Sequence, residues 1–150
     1  MTNSNCLSCA IAKGQAETLG GAIVETPHFH AHQDAAYPVV GQIIVAARRH
    51  FTVLTDMNEE ETAELLPLLQ RLRKAQAQAF GIEFVYYFYN EDTTHHFHVW
   101  MVPRHEWMAR FGRSVQAVRP ALIHAREHMS SAAEIETVRQ AVTTLRDAMK

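Results

Sequence analysis

His96-Phe97-His98-Val99-Trp100 (HFHVW), followed by Met101-Val102-Pro103-Arg104, sets two imidazoles one residue apart in a run of aromatic and β-branched residues. Such composition favours a strand. Side chains alternate between the two faces of a strand, so His96, His98 and Trp100 share one face while Phe97, Val99 and Met101 share the other. The second set is apolar throughout and is assigned to a core. That leaves two readings of the first set: a functional face presenting imidazoles, or a half-exposed strand with its histidines in solvent.

Working backwards, Ile82 to Tyr89 (IEFVYYFY) is a second β-rich run, and Asn90 to Thr94 is a turn. With His95 to Val102 it predicts an antiparallel hairpin. Asn58 is a helix N-cap with Glu61 three residues on, and Leu65, Leu66, Leu68, Leu69, Leu72, Ala75 and Ala79 recur at helical spacing as far as Gly81. Arg71, Arg73 and Lys74 lie toward the far end, where they complement the helix dipole. The leucine face should pack on a sheet. Upstream, Gly41 opens a strand over Gln42 to Ala47, closed by Arg48-Arg49-His50, and Ala22 to Val24 and Phe29 to Ala31 read as extended pieces around Pro27. Downstream come a loop with Trp107, Phe111 and Gly112, a helix or turn region to Met129, and a last helix from Ser131. Ser131 and Glu134 form a possible capping box ahead of Ile135, Val138, Val142, Leu145 and Met149.

A second histidine-rich stretch, His28 to His32 (HFHAH), carries the complete alternating set. It follows Pro27 directly and runs into Gln33-Asp34, and Phe29 and Ala31 make a poor buried face. The expectation is a surface or cleft-lining edge segment whose triad-like spacing is coincidental, with His28 and His30 having no catalytic role.

The chain has 150 residues, 47% hydrophobic and 20% charged, which fits one globular domain over 1–150. Its formal net charge of −2 supplies no basic field for a nucleic-acid backbone, whereas small phosphorylated ligands remain compatible. The N-terminal MTNSNCLSC has neither a basic region nor an apolar region of the secretory kind, and no window is apolar enough to span a bilayer. A cytoplasmic protein without membrane contact is expected. Cys6 and Cys9 form a CxxC, for which a reducing compartment disfavours a structural disulfide. A redox CxxC follows a strand at a helix start, and only five residues precede Cys6, so a metal is favoured over a pair of reduced thiols, given two further ligands. His124 and His128, four apart, could share a helix face and are read as surface residues.

HFHVWMVPR resembles the signature of the histidine triad superfamily of nucleotide hydrolases and transferases, in which alternating histidines end a strand before Pro-Arg. Cys6-Leu7-Ser8-Cys9 and GQIIVAARRH, the latter ending at His50, agree with the same family, as does Asn90 ahead of the triad, so the resemblance covers about residues 5–111. It leaves a helical extension over 113–150. The implied fold is α+β, an antiparallel sheet of about five strands with one long helix packed on it and a C-terminal helix.

The resemblance makes His98, at the second triad position, the nucleophile: a neutral imidazole attacks phosphorus through one nitrogen while the other is held protonated, giving a nucleotidyl-histidine intermediate. It places Asp34 at the ribose hydroxyls, where an ordinary turn role is the competing reading. Asn90 and Thr94 fall near the phosphates. It implies structural zinc held by Cys6, Cys9, His50 and His96, a closed tetrahedral set in which His96 is a ligand rather than a catalyst. Trp100 stands at the third triad position and its indole cannot shuttle a proton, so attack is retained and leaving-group protonation is not. The implied activity is that of a dinucleoside polyphosphate or phosphoramidate hydrolase working as a homodimer; a nucleotidyltransferase, or a nucleotide-binding or zinc-stabilised regulatory protein with little turnover, is the alternative.

Overall fold

The computed structural model describes residues 5–93 and 95–150. Five strands, β1 (Val24–Glu25), β2 (Phe29–His32), β3 (Ile43–Ala47), β4 (Val85–Phe88) and β5 (His98–Pro103), form an antiparallel sheet in the order β1-β2-β3-β5-β4. This is the α+β fold expected. The α-helices among the described residues are α1 (Leu7–Ala12), α2 (Glu59–Phe80), α3 (Val115–His128) and α4 (Ala132–Ala148).

The two faces of the sheet are divided by the alternation in β2, β3 and β5. Phe29 and Ala31, then Ile43, Val45 and Ala47, then Val99 and Met101 share the main core with Phe97, just ahead of β5; Leu68 and Leu72 of α2 and Val142 and Leu145 of α4 pack against them. Burying one such large aliphatic side chain is worth about 1.5–3 kcal/mol, which is why the leucine stripe of α2 seats on the sheet. The opposite face carries His30 and His32 on β2, Ile44 and Ala46 on β3, and His98 and Trp100 on β5. Register aligns His30, Ala46 and His98 in one row across the sheet and His32, Ile44 and Trp100 in the next. Helix α3 covers part of this face, packing Val118, Ala121, Leu122 and Ala125 with Tyr37, Val102 and Met108.

The helix ends follow from their residues. Asn58 accepts from the Glu61 amide at 2.8 Å while the Glu61 carboxylate accepts from the Asn58 amide at 2.9 Å, and Gly81 closes α2 with φ of 63°. Ser131 and Glu134 make the same box for α4. The carboxylate of Glu61 also takes two bonds from Arg49, at 2.8 and 2.9 Å. That pair ties the end of β3 to the start of α2 and so fixes where His50 emerges.

Several expectations are corrected. β2 is not an edge: it lies between β1 and β3, and Phe29 and Ala31 are fully buried in the core. The phenyl of Phe29 meets Phe97 edge-on at 6.4 Å, so this short apolar set packs better than its composition suggests. The last turn of α2 contains no cation; Arg73 donates instead to the Glu83 carbonyl at 2.9 Å. β4 and β5 form the expected hairpin, but they begin at Val85 and His98, because Phe97 is still bonded to the chain around residue 51.

Candidate functional site

Two sites meet at His96. In the first, Cys6 and Cys9 at the start of α1 approach His50 and His96. The four donor atoms all lie within 4.8 Å of one another, and one cysteine and one histidine of the set are fully buried. Sγ of Cys6 is 3.3 Å from Nδ1 of His96, Sγ of Cys9 is 3.3 Å from Nδ1 of His50 and 3.6 Å from Nδ1 of His96, and the two Nδ1 atoms are 3.1 Å apart. Metal–sulfur and metal–nitrogen bonds of about 2.3 and 2.0 Å in a tetrahedron put neighbouring ligand atoms about 3.3–3.8 Å apart. The cluster therefore fits a four-coordinate ion with only small adjustment.

The tautomer of His96 supports the same geometry. Its Nε2 lies 2.6 Å from the carbonyl oxygen of Ala47, which can only accept, so Nε2 carries the hydrogen and Nδ1 turns a lone pair to the thiols. Burial lowers the His96 pKa, favouring the neutral, ligating ring, while burial and the neighbouring Cys9 raise that of Cys6.

The second site is a cavity of about 610 Å³ on the histidine-bearing face, within the size range of small-ligand sites. His98 lines it. Nδ1 of His98 is 2.8 Å from the carbonyl oxygen of His96, so that nitrogen donates and Nε2 keeps its lone pair. Such a ring has the tautomer a nucleophile needs. Asp34, Asn90 and Trp100 line the same cavity. Asp34 accepts from the Ala36 amide at 2.8 Å and from Gln42 at 3.2 Å, so it caps its own turn as well as bordering the cavity, and burial raises its pKa. Asn90 accepts from the Thr93 hydroxyl at 2.6 Å. The indole of Trp100 stands 6.4 Å from the His98 ring and 5.8 Å from the Tyr37 ring, and its buried Nε1 has no hydrogen-bond partner among the described residues. Thr94 lies outside the described residues.

Sequence reasoning passed over His32. It lines the cavity with His98, and its ring stacks on that of His30 with the two Nδ1 atoms 3.2 Å apart. Burial, then the neighbouring His98, pushes its pKa down to about 4; burial and His32 push that of His30 down to about 3. Both are neutral near pH 7. The alternation of HFHAH was the available signal. His28, by contrast, turns away and pairs with Glu64 at 2.5 Å. On α3, His124 and His128 adjoin with ring centres 4.8 Å apart, and His124 contacts Arg110.

No protein-family model matches the chain, and no curated protein matches it. Solved structures do. A zinc-bound histidine triad family protein from Mycobacterium smegmatis superposes with a TM-score of 0.65 at 23% identity, over 96% of this chain and 97% of the other. A Hit-like protein of Bartonella henselae, described as involved in cell-cycle regulation, gives 0.71 at 16% identity over 99% and 98%. A hypothetical histidine triad nucleotide-binding protein of Sulfolobus tokodaii gives 0.69 at 18% over 96% and 91%. The agreement spans nearly the whole length of each of these three pairs.

Proposed function

We propose that this chain, which has the histidine triad fold, is a zinc-stabilised nucleotide hydrolase that cleaves phosphoanhydrides through a nucleotidyl intermediate on His98. The observation that carries the reading is the Nδ1 bond from His98 to the His96 carbonyl, which leaves Nε2 free to attack at the wall of a ligand-sized cavity. Nε2 forms a bond to the α-phosphorus, the P–O bond to the leaving phosphate breaks, and the leaving oxygen takes the electron pair. Water then displaces the histidine, and the imidazole returns to neutrality as the nucleotide departs. Asp34 and Asn90 are the polar side chains expected at the ribose and phosphates, and the family resemblance assigns Thr94 to the phosphates as well.

Zinc held by Cys6, Cys9, His50 and His96 is structural in this reading: all four positions are protein ligands, leaving no place for water. It supplies rigidity to the His96 backbone, and through that carbonyl it orients His98. Leaving groups of low basicity suit the site, because an indole at Trp100 cannot deliver a proton. Incubation with a diadenosine polyphosphate and with an adenosine phosphoramidate tests the activity; absence of adenosine monophosphate from both would leave a nucleotide-binding regulatory protein as the reading, and its transfer to an acceptor other than water would make the protein a transferase.

A homodimer is part of the proposal. Leu66 of α2 and Tyr87 of the edge strand β4 are 64% and 51% exposed, and together with Leu69 and Val99 they line an apolar groove. Exposed apolar surface beside an unpaired strand edge is what a second copy would cover.

A further inference from the structure

A nucleotide brings at least one formal negative charge, and usually more, into any site that holds its phosphates. The His32 imidazole, kept neutral by burial, cannot balance it, and a carboxylate at Asp34 adds charge of the wrong sign. Among the described residues lining the His98 cavity there is one side chain with a fixed positive charge, Arg119. It comes from α3, in the part of the chain that carries no chemical motif.

Its guanidinium is held in place. One N–H of Arg119 donates to the Tyr37 hydroxyl at 2.9 Å, and the Tyr37 ring packs on Trp100 at 5.8 Å. Tyr37 itself is buried, while Arg119 is exposed at the cavity mouth. A guanidinium has five N–H donors in a planar fork, and Tyr37 engages one of its terminal nitrogens, so donors are left for phosphate oxygens. Its position adjoins the wall formed by Trp100, the residue that replaces a third imidazole.

We propose that Arg119 is the phosphate-binding cation of the His98 cavity, reaching from α3 to take the charge of the phosphate groups, with Tyr37 as the positioning residue that holds it there. Because a guanidinium does not release its proton at accessible pH, Arg119 stabilises the leaving phosphate as an anion and does not act as its acid. The proposal deepens the nucleotide reading and rests on it for the identity of the base-bearing half; the phosphate half stands on charge alone.

The test is calorimetric titration of the full chain with adenosine, adenosine monophosphate and inorganic tripolyphosphate, for the wild type, Arg119→Gln, Arg119→Lys and Tyr37→Phe. Arg119→Gln should weaken the monophosphate and tripolyphosphate about tenfold to a hundredfold, the usual worth of charged hydrogen bonds, and leave adenosine unchanged. Arg119→Lys should recover part of the loss, and Tyr37→Phe should cost a few-fold with the charge retained. Equal affinity of Arg119→Gln and wild type for both anions would overturn the proposal while leaving the nucleotide reading intact. Arg119-dependent binding of tripolyphosphate with no binding of adenosine or its monophosphate would keep the cation site and remove the nucleotide. Wild type that binds neither anion would overturn both. Since Arg119 is exposed, its two variants should keep the wild-type melting temperature, which confirms that they are folded.

Discussion

The carbonyl oxygen of His96 accepts from Nδ1 of His98 at 2.8 Å, while the ring of the same His96 closes the four-donor cluster with Cys6, Cys9 and His50. One residue therefore belongs to both sites, by its backbone to one and by its side chain to the other. Rigidity at the cluster becomes orientation at the cavity. The two histidines of HFHVW thus face different sites, the His96 ring in the four-donor cluster and the His98 ring on the cavity.

The purified protein should contain about one zinc per chain, measured by metal analysis without chelator, and none would refute a closed site. Cys9→Ser should lower the melting temperature by several degrees or more, because metal binding energy is folding energy. Cys9 is the better probe, being fully buried.

Acid should destabilise the fold through His32. Its pKa is about 4 when folded against 6.5 for the free side chain, so as pH falls the unfolded chain takes the proton first. The contribution is complete above 6.5 and is lost between 6.5 and about 4, by at most about 1.4 kcal/mol per pH unit. Acid also protonates the cluster ligands, and the raised pKa of Asp34 acts in the opposite sense, so the measurement is the difference from His32→Gln. Denaturant melts of the two at pH 7 and pH 5 should diverge; parallel losses would show that His32 titrates normally.

If the groove beside β4 is a dimer interface, Leu66→Glu with Tyr87→Lys should yield a monomer by analytical ultracentrifugation at concentrations where wild type is dimeric. Both side chains are more than half exposed in the single chain. Their replacement should leave its melting temperature within a few degrees.

The sequence made the sheet and α2 legible because each has a local signature, period-two alternation and a capped 3.6-residue stripe; the CxxC pointed to a metal, while His50 and His96 entered as its partners through the family resemblance. It hid whatever depends on packing between distant segments. Phe29 and Ala31 looked too weak to face a core, yet β2 is an interior strand, and Phe97 adds bulk beside Phe29 from 68 residues away. Once β2 is interior, His32 must lie on the cavity face. Arg119 had no signal at all: an arginine on a helix is ordinarily solvated, and only the fold of α3 against Tyr37 brings it to the cavity that His98 lines.

If His98 is the nucleophile, His98→Ala should abolish turnover by several orders of magnitude and leave binding of adenosine monophosphate within a few-fold, because the attacking nitrogen is lost while the other cavity walls remain. His98→Gly should regain some activity with added imidazole that fills the vacated space. Retained hydrolysis in His98→Ala would remove His98 from the chemistry.

Trp100→His then separates the two steps that a full triad combines. Neutral attack by His98 needs no third imidazole, whereas expulsion of a basic leaving group needs a proton. A phosphate leaving group departs as an anion, so the wild type should cleave a diadenosine polyphosphate far faster than an adenosine phosphoramidate of an alkyl amine. Restoring an imidazole at position 100 should raise the phosphoramidate rate by tenfold or more, the lower range of general acid catalysis being about a hundredfold for a well-placed group, and change the polyphosphate rate little. The gain should fall as pH rises through the pKa of the new histidine, since only its protonated form donates. Equal gains on both substrates would mean that Trp100 obstructs attack itself, and the absence of any gain would place the leaving group away from residue 100.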